Sequence, residues 1–229
     1  DVLGSRGLGD VYKRQIRKGC QGKGLGKIIA GKSIVGQFFE SAVLTAGKDV
    51  QATYLLNCQL KANGKLLVEG RKGVIIGGKT CAKLGVSCNG IGNIAEIATV
   101  VSVGIDKEDM TASQELQKKI EQTQAELQTC ENGLNKLMAN PVHDEKVSMM
   151  IQRLTRAVYT LKSSRKELFS ERNAQMEQMT KQKEARIQVS GRAYPGTLLF
   201  LNEDPFAIKE IYNNVEFVKH DNRIDTLAH

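Results

Sequence analysis

From Ile16 to about Asp106 apolar residues come in short runs set between glycine-lysine corners, and the corners recur. Ala30-Gly31-Lys32, Ala46-Gly47-Lys48, Ala62-Asn63-Gly64-Lys65 and Gly77-Gly78-Lys79 stand roughly 16 residues apart. Between them lie runs such as Asp49-Val50-Gln51-Ala52, Leu66-Leu67-Val68 and Val74-Ile75-Ile76. These are too brief and too β-branched or apolar for helices of ordinary length, so they predict strands. A fixed short period of strands and glycine corners predicts a solenoid. Two strands per unit then make one coil of a parallel β-helix, expected to be right-handed, with small residues such as Ala52 and Cys58 in a narrow interior.

The pattern changes after Asp106. Leu116, Ile120, Thr123, Leu127, Cys130, Leu134 and Leu137 follow a 4-3-4-3 spacing and glycine almost vanishes, the signature of a coiled-coil helix. Asn140-Pro141 stops it, because proline cannot continue a helix. The spacing resumes at Val147, Ile151, Leu154, Val158 and Leu161, then turns polar at Arg165, Arg172 and Gln175 before Met179. From Arg186 the chain alternates like strand again and carries a Tyr194-Pro195-Gly196 turn. The predicted organisation is therefore a first solenoid part at 16–106, an antiparallel coiled-coil hairpin inserted at 107–186, return strands at 187–224 and a tail at 225–229. Residues 1–15, containing Asp10-Val11-Tyr12-Lys13-Arg14-Gln15, look like the translation of a sequencing adapter. The natural chain is expected to begin upstream with a further domain.

Composition narrows the reading. The chain has no tryptophan and only 5% aromatic residues, which suits a thin body better than a thick core. No run approaches the ~18 apolar residues of a membrane span. The five cysteines, Cys20, Cys58, Cys81, Cys88 and Cys130, form no C-x-x-C pair. They predict small buried residues in a reducing compartment, hence a cytoplasmic protein. The net charge of +8 is concentrated early, with 15 Lys/Arg against 7 Asp/Glu over residues 1–106.

Several segments imitate chemistry. Gly26-Lys27-Ile28-Ile29-Ala30-Gly31-Lys32-Ser33 matches the phosphate-binding G-x-x-x-x-G-K-[ST] pattern, in which Lys32 would reach the β/γ-phosphates and Ser33 a magnesium ion. With the apolar run ending at Asp106 and the coiled coil, it outlines a coiled-coil ATPase. The motif needs a buried strand in front and a helix behind. Its lead-in, Arg17-Lys18-Gly19-Cys20-Gln21-Gly22-Lys23-Gly24, is polar and glycine-rich, so no strand is expected there, and Gly31-Lys32 is already explained as one corner of the repeat. Gly26, Gly31, Lys32 and Ser33 are thus read as a decoy, with no cofactor expected. Gly90-Ile91-Gly92-Asn93-Ile94-Ala95 matches a dinucleotide fingerprint without its βαβ unit. His143 sits by the hairpin turn, His220 in the last strand region and His229 at the terminus, with no shared site expected, and the carboxylates of 16–106 are well spread. No catalytic residue and no metal ligand set is expected.

Arg17, Lys18, Lys23, Lys27, Arg71 and Lys72 outline a basic stripe, so a nucleic-acid-binding module is a further alternative, although no aromatic platform accompanies it. Arg71 and Lys72 are also candidates for a protein-interaction surface. An uncovered first coil near Ile28-Ile29 would expose strand edge, predicting end-to-end self-association.

Certain residues resemble a known family. Gln21-Gly22-Lys23-Gly24, the Ala-Gly-Lys turns, Val68-Glu69-Gly70-Arg71-Lys72-Gly73-Val74-Ile75-Ile76-Gly77-Gly78, the charged coiled coil and Val189 through Tyr194-Pro195-Gly196 occur in the same order in flagellar assembly protein A and its relatives. Gly70, Gly73, Gly77, Gly78, Tyr194, Pro195 and Gly196 are the most specific of these. The resemblance implies a β-helix with an inserted coiled coil and a non-enzymatic scaffold serving flagellar assembly or placement through protein partners. It brings no catalytic residues.

Overall fold

The computed structural model describes residues 13–70, 72–139, 144–221 and 223–228; for Lys13, Arg14 and Arg17 only the backbone is described. Arg71, the Asn140-Pro141 stop, His143 and His229 lie outside the described residues. Contacts divide the chain into a unit of residues 1–106 with 180–229 and a unit of residues 107–179.

The first unit is a parallel β-solenoid. Its strands are β1 (Lys13–Ala30), β2 (Ser33–Ala46), β3 (Val50–Ala52), β4 (Tyr54–Ala62), β5 (Leu66–Val68), β6 (Val74–Ala82), β7 (Val86–Ile91) and β8 (Thr99–Val103). The chain then runs through α1 (Lys107–Met138) and α2 (Glu145–Lys183). It returns in β9 (Ile187–Ala193), β10 (Thr197–Leu201), β11 (Asp204–Ala207), β12 (Tyr212–His220) and β13 (Arg223–Ala228). β1 begins at Lys13, inside the segment that reads as an adapter scar.

Each coil feeds three parallel ladders. One stacks Ile34, Val50, Leu66, Val86 and Ile187. The next stacks Phe39, Leu55, Ile75, Ile91 and Ala193. The last stacks Leu44, Leu60, Thr80, Val101 and Leu199, flanked by the column Ala30, Ala46, Ala62, Ala82, Val103 and Leu201. Every residue in these columns is buried, because side chains alternate across a strand and parallel register puts like positions at the same depth. The alanine column keeps one wall thin, which is why the core closes with few aromatics. Two strands per coil are present as the sequence suggests, but β4 and β6 each bend and serve two ladders, so the coil is three-sided.

The period is not constant. Ala46 pairs with Ala62 and Ala62 with Ala82, offsets of 16 and then 20 residues. This corrects one corner assignment. The corner after β6 is Ala82-Lys83-Leu84-Gly85, where Lys83 N–H donates to Ala62 O and Leu84 N–H to Gly64 O. Gly77-Gly78-Lys79 instead lies within β6, with Gly78 against Cys58. The Gly70–Gly73 loop adds the extra residues and slides the pattern along.

Parallel stacking stops after β9 and β10. β11 pairs antiparallel with β10, β12 with β9, and β13 with β12. Phe206, Tyr212 and Phe217 gather there with ring centroids 5.5–6.4 Å apart. With Ile208 and Val215 they give this end an apolar cover, as terminal solenoid units need.

The second unit is an antiparallel helical hairpin: Glu131 pairs with Lys162 at 2.8 Å, and a Cβ on Gly133 would touch Leu154 at 3.7 Å. Leu116, Ile120, Leu127 and Val158 are buried and the other heptad positions half-buried, while most residues between them are exposed. The polar end of the seam is visible. Arg172 Nε and Gln175 Oε1 are buried without a hydrogen-bond partner among the described residues, and the Arg172 guanidinium lies 4.6 Å from the Phe169 ring centroid.

Candidate functional site

The sequence motifs sort onto the three corners of the coil. At the corner after the third ladder, Gly31-Lys32, Gly47-Lys48 and Asn63-Gly64 stack on one another. Gly47 N–H donates to Ala30 O, Lys48 N–H to Lys32 O at 2.8 Å, and Gly64 N–H to Lys48 O at 2.9 Å. Asp49 Oδ1 accepts Lys65 N–H at 2.8 Å and fixes the next step. The phosphate-loop pattern falls across this corner: Gly26–Ala30 is the end of β1, Gly31 and Lys32 make the turn, and Ser33 opens β2. β1 runs through the polar lead-in at 17–24, so a strand does precede the motif, contrary to expectation, its backbone pairing with β2 despite the polar side chains. A strand follows Ser33 where a phosphate loop requires a helix N-terminus.

At the corner between the first and second ladders, four residues of the Glu69–Gly73 loop are described. Asn89 Nδ2 donates to Gly70 O at 2.7 Å, and Asn89 Oδ1 accepts from Ser190 Oγ at 2.9 Å. Asn89 thus ties the loop to the coils on its far side. Lys72 is exposed on it.

The third corner, between the second and third ladders, is a column of left-handed residues. Ser41, Asn57, Gly77 and Gly92 have φ of 49°, 49°, 69° and 75°. Gly77 N–H donates to Thr99 Oγ1 at 2.8 Å, and Thr99 Oγ1 in turn donates to Ile97 O. Tyr194-Pro195-Gly196 closes the same column: Tyr194 N–H donates to Ile91 O at 2.9 Å, and Gly196 O accepts Thr99 N–H at 3.3 Å. Gly77, Gly78 and the Tyr194–Gly196 turn, distant in sequence, therefore share one corner, while Gly70, Gly73 and Lys72 occupy another. The glycines of these motifs are positions where the backbone bends left-handed or approaches its neighbour closely.

The helical segment leaves from the Gly31-Lys32 type of corner. Val103 continues the alanine column and Ile187 starts the next coil; elsewhere three residues join these two positions, as Gly47–Asp49 do between Ala46 and Val50. Asn202 holds the departure and the return. Its Oδ1 accepts Ile105 N–H at 2.9 Å, its Nδ2 donates to Lys183 O at 3.2 Å, and its own N–H donates to Val103 O at 2.9 Å. Gly104, at φ +89°, passes beside it. Lys83, 9% exposed, pairs with Asp106 at 3.8 Å in the same place. Sequence reasoning missed Asn202. Its only signal is an asparagine between two alternating apolar runs, a position that favours a left-handed turn.

Among the described residues no group of His, Cys, Asp and Glu could hold a metal ion, and no helix is long and apolar enough to cross a membrane. The cysteines are free. Burial pushes the Cys58 and Cys81 thiols up, and burial pushes Cys88 up to about 12 from an ordinary value of 9.0. A raised acid stabilises the fold below its unfolded value and loses that contribution as pH climbs toward the folded one. Stability should therefore fall from about pH 9 upward, with Cys88 contributing up to ~1.4 kcal/mol per pH unit. Urea titrations at stepped pH should show Cys88→Ala with a shallower alkaline slope; an unchanged slope would remove Cys88 as its source.

A surface hollow of about 270 Å³ is lined by Gln15, Gln37, Gln51, Thr53 and Glu69 among others. The arrangement as a whole is built of hydrogen-bonded corners. A family model described as the flagellar assembly protein A beta solenoid domain matches residues 15–224. No curated protein and no solved structure gives a significant match. Coil, left-handed corner and inserted hairpin thus fall within a single domain definition that covers nearly the whole chain, and the chain belongs to the flagellar assembly protein A β-solenoid family.

Proposed function

We propose that the chain is a non-enzymatic cytoplasmic scaffold whose solenoid is a stiff post and whose helical hairpin, with the Lys72 loop, presents surface to protein partners in flagellar assembly or placement. The observation that supports this best is the use of the motif residues. Gly31, Gly77, Gly78 and Tyr194–Gly196 all serve backbone corners within continuous ladders, so the segments that imitate binding sites have structural work instead. Family membership supplies the flagellar setting.

Copies of the chain can also pair end to end through β1 near Ile28-Ile29. Among the described residues β1 pairs only with β2, and Ile29 is 50% exposed. Lys18, Lys23 and Lys27 on that strand oppose such pairing at low ionic strength.

The competing reading is a coiled-coil ATPase using Gly26–Ser33. Calorimetric titration with ATP and magnesium separates the two. The scaffold reading expects no heat of binding and no hydrolysis, and a Lys32→Ala variant whose urea midpoint matches the parent because Lys32 is an exposed corner residue. Micromolar ATP binding abolished by Lys32→Ala would overturn it.

A further inference from the structure

Coil register sorts charge as well as core. Every lysine between residues 26 and 103 except Lys72 falls on the outer surface of the third ladder or on the corner that follows it. Lys32, Lys48, Lys65 and Lys83 come one per coil along that corner. Lys27 and Lys79 stand in one outward column of the adjoining face, through Lys27–Val43, Val43–Gln59 and Gln59–Lys79. The carboxylates Glu40, Glu69 and Glu96 lie at the other two corners. Within residues 26–103 Asp49 alone shares the lysine corner, where it accepts Lys65 N–H; beyond them Asp106 pairs with buried Lys83, and Glu184, Glu203 and Asp204 stand at the same corner in the closing coil. Lys27, Lys32, Lys48, Lys65 and Lys79 are exposed.

We propose that this lysine row is a docking surface for an acidic protein segment, namely a helix carrying carboxylates along one stripe. This deepens the scaffold reading and rests on it. Successive coils repeat at about 4.8 Å, close to the ~5–6 Å between side chains three and four apart on a helix. One carboxylate row can therefore meet one lysine row without either bending. Phosphate chains fit less well. Among the described residues from 26 to 103 this face holds no arginine fork for bidentate phosphate contact and no aromatic platform for bases.

The test is fluorescence anisotropy of the full chain with a labelled helical peptide bearing glutamates at i, i+3, i+4 and i+7. Two variants are compared, each losing four exposed positive charges. One combines Lys27→Gln, Lys48→Gln, Lys65→Gln and Lys79→Gln; the other combines Lys18→Gln, Arg192→Gln, Lys209→Gln and Arg223→Gln. Binding should weaken about tenfold or more in the first and less than about twofold in the second. It should also weaken steeply with salt. Equal losses in both variants, no binding of the peptide, or tighter binding of a single-stranded oligouridine or of phosphatidylserine vesicles would each overturn the proposal. Lys32 is left intact, so this result and the ATP titration fail independently.

Discussion

Gly78→Ala is expected to destabilise the solenoid by about 3 kcal/mol or more, a large part of the stability of an ordinary domain. Gly78 has φ +76°, and a Cβ there would run into the backbone carbonyl and amide of Cys58 on the neighbouring strand. Two costs add. Left-handed backbone costs an L-residue roughly 1–2 kcal/mol, and the clash cannot relax by a side-chain rotation because the obstacle is a hydrogen-bonded strand. Gly24 separates the two costs. It has φ +80°, yet nothing lies within 4 Å of its missing Cβ, so Gly24→Ala should cost only about 1 kcal/mol. Urea denaturation followed by far-ultraviolet circular dichroism measures both. Similar midpoint shifts for the two variants would show that the close approach at Cys58 contributes nothing.

Asn202→Ala should carry the next largest effect. One side chain satisfies Ile105 N–H and Lys183 O; removing it orphans the amide, while the carbonyl belongs to an exposed residue and can turn to water. Ile105 is 6% exposed, so its amide does not readily regain water, and each buried unsatisfied group costs about 1–3 kcal/mol. Asn202 also sits at φ 51°, where asparagine is tolerated better than alanine. A loss of about 2–4 kcal/mol follows. Asn202→Asp should fall between the two, because it keeps an acceptor for Ile105 but turns a carboxylate toward the Lys183 carbonyl. Hydrogen exchange at the Ile105 amide gives an independent readout. Faster exchange in Asn202→Ala is expected, and unaltered exchange would mean that the backbone alone holds this junction.

The contrast between these two residues explains what could be read from the sequence. The Ala-Gly-Lys corners are legible because Ala30, Ala46 and Ala62 recur at a constant offset, and residues that stack in register repeat in the text. Gly77-Gly78-Lys79 imitates the same corner, but the Gly70–Gly73 loop has lengthened the coil by then, so like letters no longer mean like positions. Asn57 and Ser41 occupy the left-handed corner that Gly77 and Gly92 occupy elsewhere, and composition hides that equivalence. Along the helices the reverse holds. Leu116, Ile120, Leu127 and Val158 are buried as their spacing implies, and the unpartnered atoms of Arg172 and Gln175 appear where the heptads turn polar. Asn202 bonds to Ile105, 97 residues away in the chain, a relation that exists only once the coil closes and leaves no local period to find.

The account rests on the hairpin being an insertion into one corner of a self-sufficient solenoid. The most direct test replaces residues 104–186 by Gly-Lys-Asp, the residues 47–49 that join Ala46 to Val50, so that Val103 runs straight into Ile187. Val103 and Ala46 stand in the same column, as do Ile187 and Val50, so the short turn fits the positions it must join. The account predicts that the helical signal near 222 nm disappears, that the strand signal remains, and that the shortened chain still unfolds in one cooperative urea transition. Loss of the strand signal, or a chain that melts without a cooperative transition, would contradict it by showing that the solenoid requires the helices to fold.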